Sequence, residues 1–228
     1  MTTPSATAGG TFGPGPRTKV RRLPERARYD RETVNAILDE GFVCHLGVCD
    51  GGQAVVVPTN YARSGDLLYL HGAPASSVLA KAIEGAQVCL TVTLVDGLVL
   101  ARSAFHHSVN YRSVMLFGRA EEVTDPAEKR LALDALVEHI VPGRGRDARP
   151  PSTAELRATR VLRVWVEEAS AKVRTGGPQD DPDDMLLQDV WAGELPFRTL
   201  AGPPVPDPEG RSTPPVPAYL ASYRRGRN

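Results

Sequence analysis

The stretch YLHGAPASSVLAKAIEG, residues 69–85, decides between the folds open to this chain. It begins as the end of an apolar strand, turns at small residues, and continues as a helix that Ser76 or Ser77 can cap. Small residues before a helix are typical of an anion site, because the first N–H groups of a helix have no partner within it. The stretch therefore predicts a strand, a tight turn and a helix with a candidate site at its start.

Around this helix the sequence indicates strands joined by short turns. Turns are predicted at 50–53, 64–66 and 96–97, each between two apolar runs, and the last long strand is expected at 160–173. A doubly wound parallel sheet would need a helix after nearly every strand, which the spacing does not supply. We therefore expect a mainly β (α+β) fold, an antiparallel barrel of six or seven strands with three helices at its rim.

Two further helices are predicted, at 31–40 and 126–140. Asp30 is placed to cap the first helix, and Gly41 is expected to end it in the left-handed conformation. The second begins at DPAE, where Pro126 suits the first helical position.

The two ends of the chain differ in composition from its centre. Residues 1–20 are rich in Gly, Pro, Ser and Thr, which favours a disordered tail. Residues 199–228 are dense in proline, which favours an extended strap over the surface. We expect one folded domain, residues 21–198, between them.

Charge and cysteine content limit the function classes. Twenty-seven basic residues balance 27 acidic ones, so no electrostatic footprint for nucleic acid or an anionic membrane is present. No apolar run reaches the length of a membrane span, and the N-terminus has no secretory block. Cys44, Cys49 and Cys89 are odd in number and form no C-x-x-C, which favours packing thiols. A cytoplasmic protein without nucleic-acid or membrane partners is expected.

Five segments in a fixed order resemble one known family. They are VVVPTNY (55–61), LYLHGAPASS (68–77), GAQVCLTVT (85–93), DGLVLARSAFHHSVNYRSVMLFGRAEEV (96–123) and VWAGELP (190–196). Together they resemble the pyridoxamine 5′-phosphate oxidase-like proteins, which include the nitroimidazole-resistance proteins. The resemblance implies a six-stranded split β-barrel and a homodimer with FMN at the subunit interface.

The resemblance also implies the residues of a flavin site. Val57, Pro58, Thr59 and Asn60 would lie along the flavin ring, where a proline-interrupted edge leaves main-chain groups free. His71, Gly72 and Ala73 would line the ring or the ribityl chain, and Ser76, Ser77, Tyr111, Arg112 and Ser113 would hold the phosphate.

One position departs from the family pattern. Many relatives have Lys or Arg where this chain has Val78, so Lys81 or Arg102 is expected to supply the missing charge. Deazaflavin and haem are the alternatives to FMN as the cofactor.

Histidines are the remaining candidates for chemistry. His71 is the candidate general acid, if the reaction needs one. His106 and His107 are adjacent, and adjacent residues of a strand point to opposite faces, so the pair is not expected to chelate one metal ion. At most one of them is a haem ligand, and a structural or substrate-lining role is favoured over that.

The resulting hypothesis is an FMN-dependent oxidoreductase that acts on an unidentified small molecule. The alternative is a flavin- or haem-binding protein without turnover, which serves storage or sensing. A barrel that has lost its cofactor is a third interpretation.

Overall fold

The computed structural model describes residues 10–84, 87–210 and 214–225. In these ranges eight strands form one antiparallel sheet. The strands are β1 (Ala27–Arg28), β2 (Val43–Asp50), β3 (Gln53–Ser64), β4 (Leu67–Gly72), β5 (Gln87–Leu100), β6 (Ser108–Glu122), β7 (Arg160–Arg174) and β8 (Gly193–Pro196). The α-helices are α1 (Arg31–Glu40), α2 (Ser77–Ile83), α3 (Pro126–Ile140), α4 (Thr153–Arg157) and α5 (Ala218–Ala221).

The six long strands close into a barrel. Their order is β7-β4-β3-β2-β5-β6, and the ring closes because β6 also pairs with β7. The short strand β1 pairs with β7, and the short strand β8 pairs with β5, both antiparallel. The predicted mainly β fold, an antiparallel barrel with helices around it, is thereby confirmed.

The barrel is split where β3 and β4 part. Tyr61 pairs with Leu70, and the ladder between the two strands ends there. Beyond this point β3 stays paired with β2, whereas the end of β4 stays paired with β7. Asn60 and His71 would be the next pair in an unbroken ladder, so they flank the opening.

The hairpin predicted at residues 96–97 is wrong. β5 runs through these residues as one strand, and its register against β6 shifts between Val95 and Gly97. A side chain at Gly97 is excluded by β8, since its Cβ would lie 2.6 Å from the carbonyl oxygen of Leu195. The glycine therefore marks a bulge where β8 passes closely, and the chain reverses later, around the 3-10 turn Ala104–His106.

The predicted helices are present, but Gly41 does not end α1 in the predicted left-handed conformation. Asp30 caps α1 through the N–H of Thr33, as expected. Gly41 ends α1 with a φ of −73°, so it is not left-handed. Its lack of a side chain is explained by packing, because a Cβ would lie 2.6 Å from Val92 Cγ1 and 2.9 Å from Tyr61 Oη.

The core fills the barrel from alternate residues of its strands. Leu46, Leu90, Leu116 and Leu162 are all fully buried there. Cys44 belongs to the same core, and burial raises the pKa of its thiol to about 12, which keeps it protonated and unreactive. Packing thus accounts for Cys44, whereas Cys89 is half-buried and Cys49 is exposed.

Described residues near both ends of the chain contact the folded domain. Residues 1–9 of the predicted tail lie outside the described residues, but the N–H of Phe12 bonds the carbonyl of Tyr29 and Arg17 pairs with Glu168. Residues 199–210 of the predicted strap are exposed, and α5 follows. No helix in the described ranges is both long and apolar enough to cross a membrane.

Candidate functional site

A cavity of about 1010 Å³ opens at the split of the barrel. Asn60 and His71, the residues that flank the parted strands, line it from the barrel side. The other walls come from α3 and from the loop that follows it. This volume is at the upper end of the range for small-molecule and cofactor sites.

One face of α3 forms the apolar wall of the cavity. Leu133, Leu136, Val137 and Ile140 all line it, and their spacing places them on one side of the helix. Because α3 packs on β3 and β4, this stripe faces the opening between these strands. A flat apolar molecule would therefore be bounded by the helix on one side and by the barrel on the other.

The rim of the cavity carries three arginines among several carboxylates. Arg144, Arg146 and Arg149 lie in the loop 143–151, which we call the rim loop. Arg149 forms two bonds to Glu155, at 2.8 and 2.5 Å, and Arg144 donates to the hydroxyl of Tyr219 at 3.2 Å. Arg146 has no carboxylate within ion-pair distance among the described residues. It is thus the arginine best placed to meet an anionic group of a ligand.

His71 is the chemically distinctive residue of the cavity. Its Nδ1 is buried and has no hydrogen-bond partner among the described residues. Burial lowers the pKa of the imidazole from its ordinary value of 6.5, so the ring is neutral at pH 7. A neutral imidazole with an unused nitrogen is the form that binds a metal ion.

The predicted flavin strand has an open edge in the single chain. Val57, Pro58, Thr59 and Asn60 pair with β2, but β4 does not extend beside them. Main-chain groups on that edge are therefore available to a ring-shaped ligand, as the sequence indicated. Asn60 is shared between this edge and the cavity.

The turn after β4 is built by packing and by capping. A Cβ on Gly72 would lie 2.8 Å from Leu79 Cδ1, so a larger residue here would displace the Leu79 side chain. The N–H of Ser76 bonds the carbonyl of Ala73 at 3.0 Å, and its hydroxyl caps α2 through the N–H of Leu79. Ser77 is the first residue of α2, which has only seven residues. A phosphate at Ser76 and Ser77 stays a prediction.

The three basic residues predicted for the flavin phosphate are each paired with acidic groups. Lys81 lies 2.9 Å from Glu84 and 3.3 Å from Asp50. Arg102 bonds Asp180 at 2.8 Å. Their charges are therefore compensated within the chain.

Arg112 is the most deeply buried of the three. Its side chain is 5% exposed and is held between the carboxylates of Glu40 and Asp96. These bonds raise the pKa of the guanidinium further above its already high value. The cluster ties α1, β5 and β6 together, which gives Arg112 a structural role within the single chain.

Tyr111 and Ser113 flank Arg112 on β6. Tyr111 pairs with Val95 of β5 and with β7, and the Ser113 hydroxyl donates to the carbonyl of Lys172 at 3.4 Å. Both are half-buried within the sheet. Their predicted contact with a phosphate remains untested.

His106 and His107 lie at a 3-10 turn and not on a strand, which corrects the basis of the prediction for this pair. His107 Nδ1 is 2.9 Å from the carbonyl oxygen of Ser103. His106 Nε2 is 3.1 Å from Asp181, and the ligand atoms of His106, Asp181 and Asp184 lie within 4.8 Å of one another. Asp181 is largely exposed, so this trio is a cluster at the surface.

Comparison with known proteins now identifies the family. A family model for pyridoxamine 5′-phosphate oxidase matches residues 30–173. The chain therefore belongs to the pyridoxamine 5′-phosphate oxidase family, and the resemblance noted in the sequence is confirmed.

Three solved structures show which relatives the chain is similar to. The flavocytochrome Anf3 from Azotobacter vinelandii is 43% identical, with 93% of this chain and 99% of that chain covered and a TM-score of 0.87. An FAD and heme binding protein from Mycobacterium smegmatis is 33% identical, with 88% and 98% covered and a TM-score of 0.83. A 5-nitroimidazole antibiotic resistance protein from Bacteroides thetaiotaomicron is 29% identical, with 64% and 86% covered and a TM-score of 0.56. No protein of curated function matches the chain.

The sequence analysis missed most of the cavity. The sequence indicated Asn60 and His71 and a helix at 126–140, but it assigned no site to that helix or to the residues after it. Two signals were available: the apolar stripe of α3, at spacings of three and four residues, and three arginines within six residues directly after it.

Proposed function

We propose that the protein is a flavin-binding redox protein that also holds haem in the cavity behind His71. The single observation that carries the haem site is the position of His71, whose imidazole has an unpartnered nitrogen, in the lining of a large cavity with an apolar wall and arginines at its rim. Support from outside the chain comes from two relatives, a flavocytochrome and an FAD and heme binding protein, which align over nearly their whole length.

The residues of the cavity fit haem in three respects. Haem iron takes an imidazole as its protein ligand, and His71 offers one in the neutral form. The porphyrin is flat and apolar, and the stripe of α3 from Leu133 to Ile140 matches such a surface. Its propionates are anionic and lie at one edge of the ring, and Arg146 at the rim is suited to pair with them.

The flavin is proposed to lie along the open edge of β3, from Val57 to Asn60. Main-chain donors and acceptors on that edge suit the polar side of the ring. The sequence resemblance implies FMN, whereas FAD is named for the relative from Mycobacterium smegmatis. When bound, flavin and haem supply electron transfer, while the chain holds them and excludes water. The proposed reaction is therefore oxidation or reduction of a small molecule.

An absorption spectrum of the purified protein tests this function. After reconstitution with hemin and flavin, we expect a Soret band and flavin bands together, each at about one cofactor per chain. Digestion of the released flavin with phosphodiesterase distinguishes FAD from FMN by the rise in fluorescence. Flavin bands without a Soret band would refute the haem site. A Soret band without flavin bands would refute the flavin site. Reduction of both by a nicotinamide cofactor would favour an enzyme over a storage or sensing protein.

A homodimer is part of the same proposal, with the flavin at the subunit interface. Val56 on β3, next to the proposed flavin edge, is 62% exposed, and Val95 on β5 is 51% exposed. Apolar side chains exposed in this way, here on the two strands that flank β2, are typical of a surface that a partner covers. Light scattering at micromolar concentration is expected to give twice the mass of the 24.5 kDa chain, and a monomer would contradict the interface. The cytoplasm remains the proposed location.

A further inference from the structure

We infer that the C-terminal segment, residues 214–225, positions the rim loop at the mouth of the cavity and thereby sets how fast a bound ligand leaves. The inference rests on the proposed haem site for the identity of that ligand. The contacts that carry it lie within the chain itself, so the positioning can be tested without any cofactor.

Tyr219 of α5 joins the segment directly to the rim loop. Its hydroxyl donates to Asp147 at 2.6 Å and accepts from Arg144 at 3.2 Å. Its ring lies against Gly143, where a Cβ would be 3.3 Å from the ring edge. Gly143 has a φ of +93°, which favours glycine on its own account. Tyr219 therefore holds a charged pair of the rim loop in place and covers the start of that loop.

The rest of the segment anchors it to two helix ends. Tyr223 donates its hydroxyl to the carbonyl of Ile140, the last residue of α3, at 2.8 Å. Arg225 donates to the carbonyls of Glu40 at 2.6 Å and Gly41 at 3.2 Å, at the end of α1. Each of these carbonyls lies at the C-terminus of a helix, where acceptors lack helical partners. The anchors thus fix the segment relative to the wall of the cavity.

The rim loop is held from its other side by α3. The carboxylate of Glu138 accepts the N–H groups of Gly143 and Gly145, both at 2.7 Å. These bonds lower the pKa of Glu138 below its ordinary value, because they favour the ionised carboxylate. The loop is therefore attached to α3 by Glu138, and its second support, Tyr219, lies 72 residues beyond Asp147 in the chain.

The second support is built so that it can detach without unfolding the barrel. Residues 199–210, which lead to the segment, are all exposed. Within the segment Tyr219, Tyr223 and Arg225 are half-buried, and their hydrogen bonds are its attachment. Elements with few buried apolar contacts open at low free energy. Release of the segment would leave the start of the rim loop, Gly143 to Gly145, held by Glu138, while Arg149 at its far end stays bonded to Glu155.

The test compares full-length variants Tyr219→Phe, Tyr223→Phe and the matched control Tyr29→Phe. Tyr29 also loses one hydrogen bond, from the N–H of Val20, but lies away from the cavity. In cofactor-free protein, amide hydrogen exchange at 143–148 is expected to rise at least about fivefold for each cavity-side variant. Tyr219→Phe loses the bonds to Asp147 and from Arg144, and Tyr223→Phe loses the bonds to Ile140 and from Arg225. In hemin-loaded protein, transfer of hemin to excess apomyoglobin is expected to accelerate by a similar factor of about five.

Two results would overturn the inference. If the 143–148 amides of Tyr219→Phe exchange as in Tyr29→Phe, the segment does not position the rim loop. If exchange rises but hemin transfer stays at the control rate, the loop does not set ligand release. Wild-type protein that takes up no hemin refutes the proposed haem site instead, and the exchange measurement then decides the positioning by itself.

Discussion

Replacement of His71 by alanine is expected to remove the Soret band of hemin-loaded protein and to leave the flavin bands in place. Loss of even an outer partner of a metal ligand costs 10- to 100-fold in affinity, so loss of the proposed ligand itself should cost at least about 100-fold. The measurement is a hemin titration of apo protein followed at the Soret band. His45→Ala is the matched control, because His45 lies on β2 and does not line the cavity.

Two further measurements separate ligation from packing. His71→Gly with added imidazole should recover the band, since the free base can take the place of the side chain. In the wild type, hemin affinity should fall as the pH drops below 6.5, because protonation of His71 competes with the iron, and burial keeps the pKa of the imidazole under that value. Above pH 6.5 the affinity should be flat. An alanine variant that binds hemin like the wild type would contradict the assignment.

Replacement of Arg112 by methionine is expected to give the largest loss of stability. It leaves Glu40 and Asp96 without their shared counter-charge at a site where the arginine is 5% exposed. Removing one partner of a buried ion pair costs about 3–5 kcal/mol of stability. Because Glu40 and Asp96 are partly exposed, we expect a loss of about 3 kcal/mol here. Urea unfolding of the cofactor-free protein gives the free energy of unfolding directly.

Arg163→Met is the control for Arg112→Met. Arg163 also bridges two carboxylates, Glu121 at 2.9 Å and Glu128 at 2.8 Å, but its side chain is 32% exposed. Its loss should cost at most about 1 kcal/mol, as for surface ion pairs. The triple variant Arg112→Met, Glu40→Gln, Asp96→Asn should recover much of the loss. Equal destabilisation by the two arginine variants would show that burial does not matter here.

The barrel was predictable because apolar and polar residues alternate along its strands. Val88, Leu90 and Val92 alternate along β5, and the structure buries all three. The alternation follows from a strand with one face in the core, so a short window of sequence contains it. Asp30 and Pro126 signalled the helix starts correctly for a similar reason, since a cap acts on groups within one turn.

The errors arise where distant segments decide the local structure. Residues 96–97 have the composition of a turn, but β8, almost 100 residues later, makes the glycine a bulge. Gly41 is required by Val92 and Tyr61, which neighbour it only in space. The cavity combines Asn60, His71, α3 and the rim loop, four pieces that no local pattern connects. The sequence thus indicated Asn60 and His71, which line the cavity from the barrel, but it did not indicate the wall that α3 and the rim loop form.

β7 contacts three other strands of the sheet, β1, β4 and β6, and its pairing with both β4 and β6 closes the ring. During synthesis the ribosome delivers this strand after all its partners. Until then β4 and β6 expose unpaired edges, which are templates for association between nascent chains. Closure also demands contacts between residues far apart in the chain, so folding is expected to be slow. A chaperone that shields these edges is therefore expected to raise the yield of folded protein.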